Sequence, residues 1–186
     1  RYGDCKDKAN LLRAMLLHKG ISSRLVLVET ANAGIVEKRV PDYRQFDHMI
    51  LTAEYEPGKW IYCDPTVRYG RAGLLPPSDA DRDVLILDGE KHSWVRTPAS
   101  DAGTITYHFD LEMEPSGDIS GWVTCNVQGY YAAAYHEEFL GKDRRDTIRL
   151  VADYVQDFYP AAEVVDADTK LAEGKITDFQ YRAYLM

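Results

Sequence analysis

Three residue types that together perform nucleophilic catalysis occur at separate places in this chain, as Cys5, His48 and Asp64. Cys5 comes directly before residues with helical apolar spacing, so we expect it on the first turn of a helix. The N-terminus of a helix favours negative charge, and a nearby imidazolium favours it further, so a thiol placed there ionises more readily to the nucleophilic thiolate. A small buried side chain at a helix start is the structural alternative for Cys5.

The other two side chains have complementary roles if the fold brings all three together. His48 would take the thiol proton and return it to the leaving group, while Asp64 would fix the imidazole tautomer and stabilise the imidazolium. His48 as a satisfied histidine near a sheet edge, and Asp64 as a strand-ending cap before Pro65, are the structural alternatives. A metal site built from the same three residues is a further alternative, with only three well-placed ligands of mixed softness.

The helix that must position Cys5 is indicated by apolar residues at spacings of three and four. They are Ala9, Leu12, Met15 and Leu16. Asp4 is the predicted N-cap, and Asp7 lies in the first turn, where negative charge suits the helix dipole. Gly20 supplies the C-terminal stop. The pattern therefore predicts a capped helix that begins at Cys5.

His48 and Asp64 are predicted on the two strands of one hairpin. The strands cover residues 46–55 and 59–64, and Glu56-Pro57-Gly58 marks the turn between them. The two residues are sixteen apart, an even separation, and side chains alternate between the faces of a strand. They share a face only if the loop has an odd residue count or a bulge shifts the register. The catalytic interpretation therefore predicts an odd loop near residues 54–58.

The remaining pattern predicts an α+β protein in two domains. Residues 97–103 have the composition of a linker, so we expect a core over 1–98 and a smaller β-rich α+β module over 99–186. Further strands are predicted at 23–30, 84–87, 93–96, 104–114, 119–127, 163–168 and 176–185, and helices at 129–140 and 143–158. No catalytic constellation is evident in the second half, where His108 and His136 are isolated.

Composition narrows the possible partners. The chain has 186 residues and a formal net charge of −8, which disfavours binding to a phosphate backbone. Its one basic cluster, between Lys142 and Arg149, is diluted by aspartates and is typical of a solvated helix face. No apolar run reaches the ~18–20 residues of a membrane span. The three cysteines lack a Cys-x-x-Cys pair, so they give weak support to structural zinc and leave the compartment open.

Three blocks of the first half carry a family resemblance. Residues 2–12 begin Tyr-Gly-Asp-Cys-Lys-Asp-Lys, residues 46–50 read Phe-Asp-His-Met-Ile, and residues 60–66 read Trp-Ile-Tyr-Cys-Asp-Pro-Thr. In order and spacing they resemble the signature blocks of the transglutaminase-like superfamily, in particular a bacterial branch with Gly-Asp-Cys-Lys-Asp-Lys and Asp-Pro-Thr blocks. The resemblance covers roughly residues 1–90, and the segment Leu74-Leu75-Pro76 fits the same branch.

The resemblance implies a papain-like core, in which a Cys-bearing helix packs on an antiparallel sheet, followed by a β-rich module. It implies acyl transfer or hydrolysis on a carboxamide or peptide through a thioester, with Cys5 as nucleophile, His48 as base and Asp64 as the residue that orients the base. A protein or peptide substrate, no cofactor, no metal and an extracytoplasmic location are expected. The alternative is a catalytically silent binding or scaffold module that retains the fold.

The family also sets an expectation about the start of the chain. Its core normally includes helical sequence before the Cys block, and only four residues precede Cys5 here. The backbone N–H of Cys5 can serve as one oxyanion donor, whereas the second donor is not identifiable from the sequence. We therefore expect that activity depends on an upstream segment or domain of the same protein, and that apolar surface on the first helix is exposed or covered by a partner.

Overall fold

The computed structural model describes residues 3–40, 42–89, 91–100, 102–171 and 178–186. In this part of the chain the structure contains three α-helices and two antiparallel sheets, which confirms the predicted α+β class. The chain divides into two compact units, Arg1–Ala102 and Gly103–Met186. Among the described helices, none has both the length and the apolar character that crossing a bilayer requires.

Unit 1 combines one helix with a five-stranded sheet. Helix α1 covers Cys5–His18, and a short 3₁₀ turn covers Tyr43–Gln45. The strands are β1 (Ser23–Val28), β2 (His48–Glu56), β3 (Lys59–Cys63), β4 (Asp83–Asp88) and β5 (Lys91–Arg96). Their order in the sheet is β3-β2-β1-β4-β5, and every neighbouring pair is antiparallel. The predicted elements of this half are thus present, with ends that differ by a few residues.

The two faces of the β2–β3 hairpin have different neighbours. Ile50 belongs to a fully apolar core together with Val26, Val28, Leu75, Val84 and Ile86, and Tyr62 packs against this core. Residues of the opposite parity, such as Ala53, Ile61 and Cys63, line a groove beside α1. Since side chains alternate along a strand, His48 shares its face of the sheet with Ile50.

The hairpin reaches the expected register through the alternative of a bulge and not through an odd loop, because the turn itself has two residues. Glu54 pairs with Trp60 and Glu56 pairs with Lys59, so five residues separate the first pair, and Tyr55 is left as a bulge. Pro57 and Gly58 form the two-residue turn inside it, and Gly58 adopts a φ of 77° that favours glycine. The extra residue in β2 offsets the even separation of His48 and Asp64, so both lie toward the same side.

Unit 2 pairs a four-stranded sheet with two helices. Its strands are β6 (Ile105–Met113), β7 (Ile119–Gln128), β8 (Val164–Leu171) and β9 (Asp178–Leu185), in the order β6-β7-β9-β8. Helices α2 (Tyr130–Phe139) and α3 (Arg144–Gln156) pack on this sheet over a core that includes Val123, Val127, Val151 and Ala183. The start of the last predicted strand, at Ile176 and Thr177, lies outside the described residues. The basic cluster on α3 is exposed, and Arg144 pairs with Asp166 at 2.8 Å.

Candidate active site

The N-terminal cap of α1 fixes the position of Cys5. Asp4 is the N-cap, and its Oδ1 accepts hydrogen bonds from the N–H groups of Lys6 (2.9 Å) and Asp7 (3.1 Å). Asp7 completes a capping box, because its Oδ2 accepts the N–H of Asp4 at 3.1 Å. The predicted cap is thereby confirmed, and Cys5 is the first residue of the helix. The capping bonds use the N–H groups of other residues, so the cap does not require the N–H of Cys5.

Gly3 supports this cap through its conformation. Its φ is 65°, and a Cβ at this position would lie 2.5 Å from the Cβ of Asp7. The absence of a side chain on Gly3 therefore makes room for the Asp7 side chain of the capping box, which occupies the space that a Cβ of residue 3 would need. Asp4 and Asp7 place two carboxylates at this helix end, so the positive end of the helix dipole is partly compensated there.

His48 and Asp64 are in direct contact. His48 Nε2 lies 3.2 Å from Asp64 Oδ2, and the two side chains are 15% and 4% exposed. The other carboxylate oxygen of Asp64 accepts hydrogen bonds from the backbone N–H of Thr66 at 2.8 Å and from its Oγ1 at 2.6 Å. Asp64 is thus held from one side by Thr66 while it faces the imidazole with the other.

The side chain of Cys5 acts on the same imidazole, because it is among the groups that raise the pKa of His48. Since Nε2 of the ring faces Asp64, Nδ1 is the nitrogen that remains available to the thiol. Burial lowers the pKa of His48, but the hydrogen bond and charge of Asp64, the hydrogen bond with Cys5 and the charge of Asp79 outweigh it and raise this pKa from 6.5 to about 9. Near neutral pH the ring therefore carries a proton.

The carboxyl group of Asp64 remains ionised under the same conditions. Burial raises its pKa, but the hydrogen bonds from His48 and Thr66 outweigh burial and leave the pKa below its ordinary value of 3.8. A buried carboxylate that stays charged beside a protonated ring can orient that ring and stabilise its positive charge.

Asp79 is a second buried carboxylate beside His48, and the sequence did not indicate it. It lies in the loop between β3 and β4, is 1% exposed, and places Oδ2 at 3.7 Å from His48 Nε2. Burial raises the pKa of Asp79 to about 6, the charge of His48 lowers it, and the charge of Asp64 raises it. The only sequence signal is its place three residues after Pro76, which does not by itself predict burial.

A cation could be held by three of these side chains. Within the described residues, one group of His, Cys, Asp and Glu side chains has metal-binding proximity: one donor atom each from His48, Asp64 and Asp79, all within 4.8 Å of one another. Cys5 is not a member of this group, so the group differs from the alternative metal site of Cys5, His48 and Asp64 that the sequence left open. The cluster would offer one nitrogen and two carboxylates, a set that suits zinc.

An apolar groove of about 720 Å³ runs beside the site. Helix α1 contributes Leu12, Met15 and Leu16 to its lining, and the hairpin contributes Ile61 and Cys63. The lining continues through Asp64 and Pro65 into the loop that follows β3. Apolar surface on α1 is exposed as expected, since 63% of Leu11 and 59% of Met15 are accessible. Burial raises the pKa of the Cys63 thiol, so this second cysteine of unit 1 is disposed to stay protonated.

Comparison of the chain with protein-family models, curated proteins and solved structures found no match. The structure places His48 in contact with Asp64, and the side chain of Cys5 acts on the pKa of the same imidazole. Their catalytic roles remain predictions.

Proposed function

We propose that unit 1 is a papain-like, transglutaminase-like core that performs acyl transfer or hydrolysis on a carboxamide or peptide through a thioester on Cys5. The observation that carries the proposal is the imidazole of His48, whose Nε2 lies 3.2 Å from Asp64 Oδ2 and whose pKa is raised in part by the side chain of Cys5. Covalent catalysis by a thiol requires a nucleophile beside a general base, and a third group that orients the base through a hydrogen bond.

The chemistry follows from the protonation states of the site. With the proton on His48, the sulfur of Cys5 attacks the carbonyl carbon of the substrate, and the electron pair of the C=O bond moves to oxygen. Collapse of this intermediate breaks the C–N bond, and the imidazolium gives its proton to the departing nitrogen. His48 then takes a proton from water or an amine, which attacks the thioester and releases Cys5. Asp64 keeps the ring aligned through both steps.

The helix end supplies part of the oxyanion site. The backbone N–H of Cys5 is the donor that papain-like chemistry places next to the nucleophile, and the Asp4 cap engages the N–H groups of Lys6 and Asp7 instead. The proposal therefore assigns the backbone N–H of Cys5 as one oxyanion donor. It leaves the second oxyanion donor unassigned.

Thiol reactivity tests the proposal without knowledge of the substrate. We expect iodoacetamide at pH 6 to modify Cys5 much faster than Cys63 or the buried Cys125, because only Cys5 has an imidazolium partner. His48→Gln should remove this advantage, while Cys63 reacts as before.

Turnover of a substrate gives a second test. Cys5→Ala should abolish any turnover while folding stays largely intact. Asp64→Asn should reduce the turnover rate less completely, because the ring of His48 is misoriented.

Two outcomes would point elsewhere. If Cys5 reacts no faster than Cys63, the fold is that of a binding or scaffold module without an activated nucleophile. If elemental analysis of purified protein finds stoichiometric zinc or iron that Asp79→Asn removes, His48, Asp64 and Asp79 form a metal site and the base is unavailable for thiol chemistry.

A further inference from the structure

Strand β6 forms one end of the sheet of unit 2, so one of its edges has no neighbouring strand among the described residues. Its nine residues, Ile105–Met113, are almost all exposed, and they pair with β7 over their full length without a bulge. A long and regular edge strand with accessible backbone groups is a template for pairing with another strand. The outer edge of β6 is therefore open to a further strand.

Two hydrogen bonds at the ends of the β6–β7 ladder show which backbone groups point away from β7. The N–H of Gln128 donates to the C=O of Thr104, and the N–H of Glu114 donates to the C=O of Asp118, each at 2.8 Å. Hydrogen-bonded positions alternate along an antiparallel ladder, so the even-numbered residues of β6 bond to β7. The odd-numbered residues direct their N–H and C=O groups to the free edge, and they are Ile105, Tyr107, Phe109, Leu111 and Met113.

The same odd-numbered residues form an apolar stripe on one face of β6, since side chains alternate along a strand. Part of the stripe is covered, because the ring of Phe158, which follows α3, lies 5.9 Å from the ring of Tyr107 between centroids. The other end is more open, with 42% of Leu111 and 70% of Met113 exposed. The stripe therefore has a covered half and an uncovered half.

We infer that β6 pairs antiparallel with β6 of a second copy of this chain, about a two-fold axis that passes through Phe109. The pairing joins the two four-stranded sheets into one continuous sheet, and it is self-complementary, as a two-fold contact requires. The paired strands belong to unit 2, so the pairing is independent of the proposed function.

The axis at Phe109 satisfies the free backbone groups of both strands. It places Tyr107 opposite Leu111 of the second copy, and Ile105 opposite Met113 of the second copy. Each of these positions has its N–H and C=O groups directed to the free edge, so each pair can exchange two hydrogen bonds. The uncovered half of one apolar stripe also meets the covered half of the other, and burial of the exposed apolar surface favours the pairing.

The polar face of β6 distinguishes this axis from its neighbours. With the axis at Phe109, His108 lies opposite Asp110 of the second copy. Thr106 likewise lies opposite Glu112, so each carboxylate on this face meets a hydrogen-bond donor. An axis at Asp110 would place two aspartates directly opposite each other, which is destabilising. An axis at His108 would oppose two imidazoles and leave Glu112 without a partner on the second strand.

Analytical ultracentrifugation of the full chain tests the pairing through the dissociation constant of the dimer. His108→Glu places a carboxylate opposite Asp110 on both sides of the axis. The double variant, His108→Glu with Asp110→Lys, places opposite charges at the same positions. His92→Glu is the matched control, because it makes the same change at an exposed position of β5, an edge strand of the other sheet.

We expect the unmodified chain to dimerise in a concentration-dependent way. His108→Glu should raise the dissociation constant about tenfold or more, because two like-charge pairs form in each dimer. The double variant should return the constant to within about threefold of the unmodified value. His92→Glu should leave the constant unchanged.

Leu111→Pro tests the backbone contribution separately. It removes an N–H that points to the free edge and leaves the ladder to β7 intact, and proline is tolerated on an edge strand in this orientation. We expect this variant to be monomeric at concentrations where the unmodified chain is a dimer. Circular dichroism measures its fold, and the charge variants decide the question if it does not fold.

An unmodified chain that stays monomeric at about 200 µM would overturn the inference. A dimer that His108→Glu leaves unchanged would do the same, because β6 would then lie outside the interface. Equal weakening by the single and the double charge variants would also overturn it, since residues 108 and 110 of the two copies would then not lie opposite each other.

Discussion

Asp64 divides its two carboxylate oxygens between different partners. Oδ2 faces the imidazole of His48, while Oδ1 accepts both the backbone N–H and the hydroxyl of Thr66. Hydrogen bonds to an ionised oxygen are stronger than those between neutral groups, so Thr66 both fixes the carboxylate and keeps it charged. The third residue of the Asp-Pro-Thr block thus has a physical role that the sequence analysis did not assign.

Thr66→Val tests this role, because it keeps the shape and the backbone N–H but removes the hydroxyl donor. We expect the pKa of Asp64 to rise and Cys5 alkylation at pH 7.5 to slow by about three- to tenfold, since one charge-assisted hydrogen bond is lost. Thr66→Ser restores a hydroxyl and should restore the rate. Equal rates in the Val and Ser variants would show that the hydroxyl does not act on Asp64.

The cluster also shows which site residues a sequence can indicate. Cys5, His48 and Asp64 were identifiable because each stands at an element end within a distinctive block. Asp79 was not, because it lies in a loop without periodicity, and its proximity to His48 depends on how the segment 64–82 folds over the sheet. Burial of a loop aspartate is a tertiary property that propensity and spacing do not encode.

At the scale of elements, the spacing of apolar residues was sufficient to predict most strands and the helices, but not how the hairpin reaches its register. An odd loop can be a single wide loop or a tight turn with a bulge, and the five residues 55–59 allow both. The structure uses Pro57-Gly58 and a bulged Tyr55. Whether the hairpin forms a wide loop or a tight turn with a bulge depends on cross-strand pairing. The ion pair between Lys59 and Glu56, at 2.6 Å, belongs to this pairing.

The bulge leads to a counterintuitive prediction. Deletion of Tyr55 should preserve the contact between His48 and Asp64, because Glu56–Lys59 can then follow Glu54–Trp60 in a regular ladder without any change in register. Insertion of one alanine between Cys63 and Asp64 should break the contact, since it moves Asp64 to the other face beyond the end of β3. The rate of Cys5 alkylation at pH 6 is measured in both variants, and it reports whether the contact between His48 and Asp64 is preserved.

Retention of fast alkylation in the deletion variant and its loss in the insertion variant are the expected pair of results. Circular dichroism serves as the control for folding. Loss in the deletion variant, with its fold intact, would show that Tyr55 itself is needed. Retention in the insertion variant would show that Asp64 does not orient His48.

At the scale of the whole molecule, each unit has its own core, and the residues of the site all belong to unit 1. The site places two buried carboxylates around one ring in a chain whose net charge is already −8. Two buried carboxylates that lie this close together are therefore expected to reduce stability, because they repel each other and are withdrawn from water.

The pH dependence of stability follows from these shifts. The pKa of His48 is raised from 6.5 to about 9, so its stabilising contribution is complete below pH 6.5 and is lost as the pH rises through 9. The pKa of Asp79 is raised from 3.8 to about 6, so its contribution is complete below pH 3.8 and is lost as the pH rises through 6. Asp64, with its lowered pKa, contributes above pH 3.8 and loses this contribution on acidification.

Asp79→Asn should consequently make the protein more stable at pH 7.5. The amide is neutral at every pH, so the cost of charging a buried carboxylate, about 1–3 kcal/mol, disappears at pH 7.5. At pH 4, where Asp79 is largely protonated, the variant and the unmodified protein should unfold at similar denaturant concentrations. Urea unfolding at the two pH values, with Asp88→Asn as the control, measures the difference. A variant that is less stable at pH 7.5 would mean that Asp79 is retained for the fold and not for the chemistry of His48.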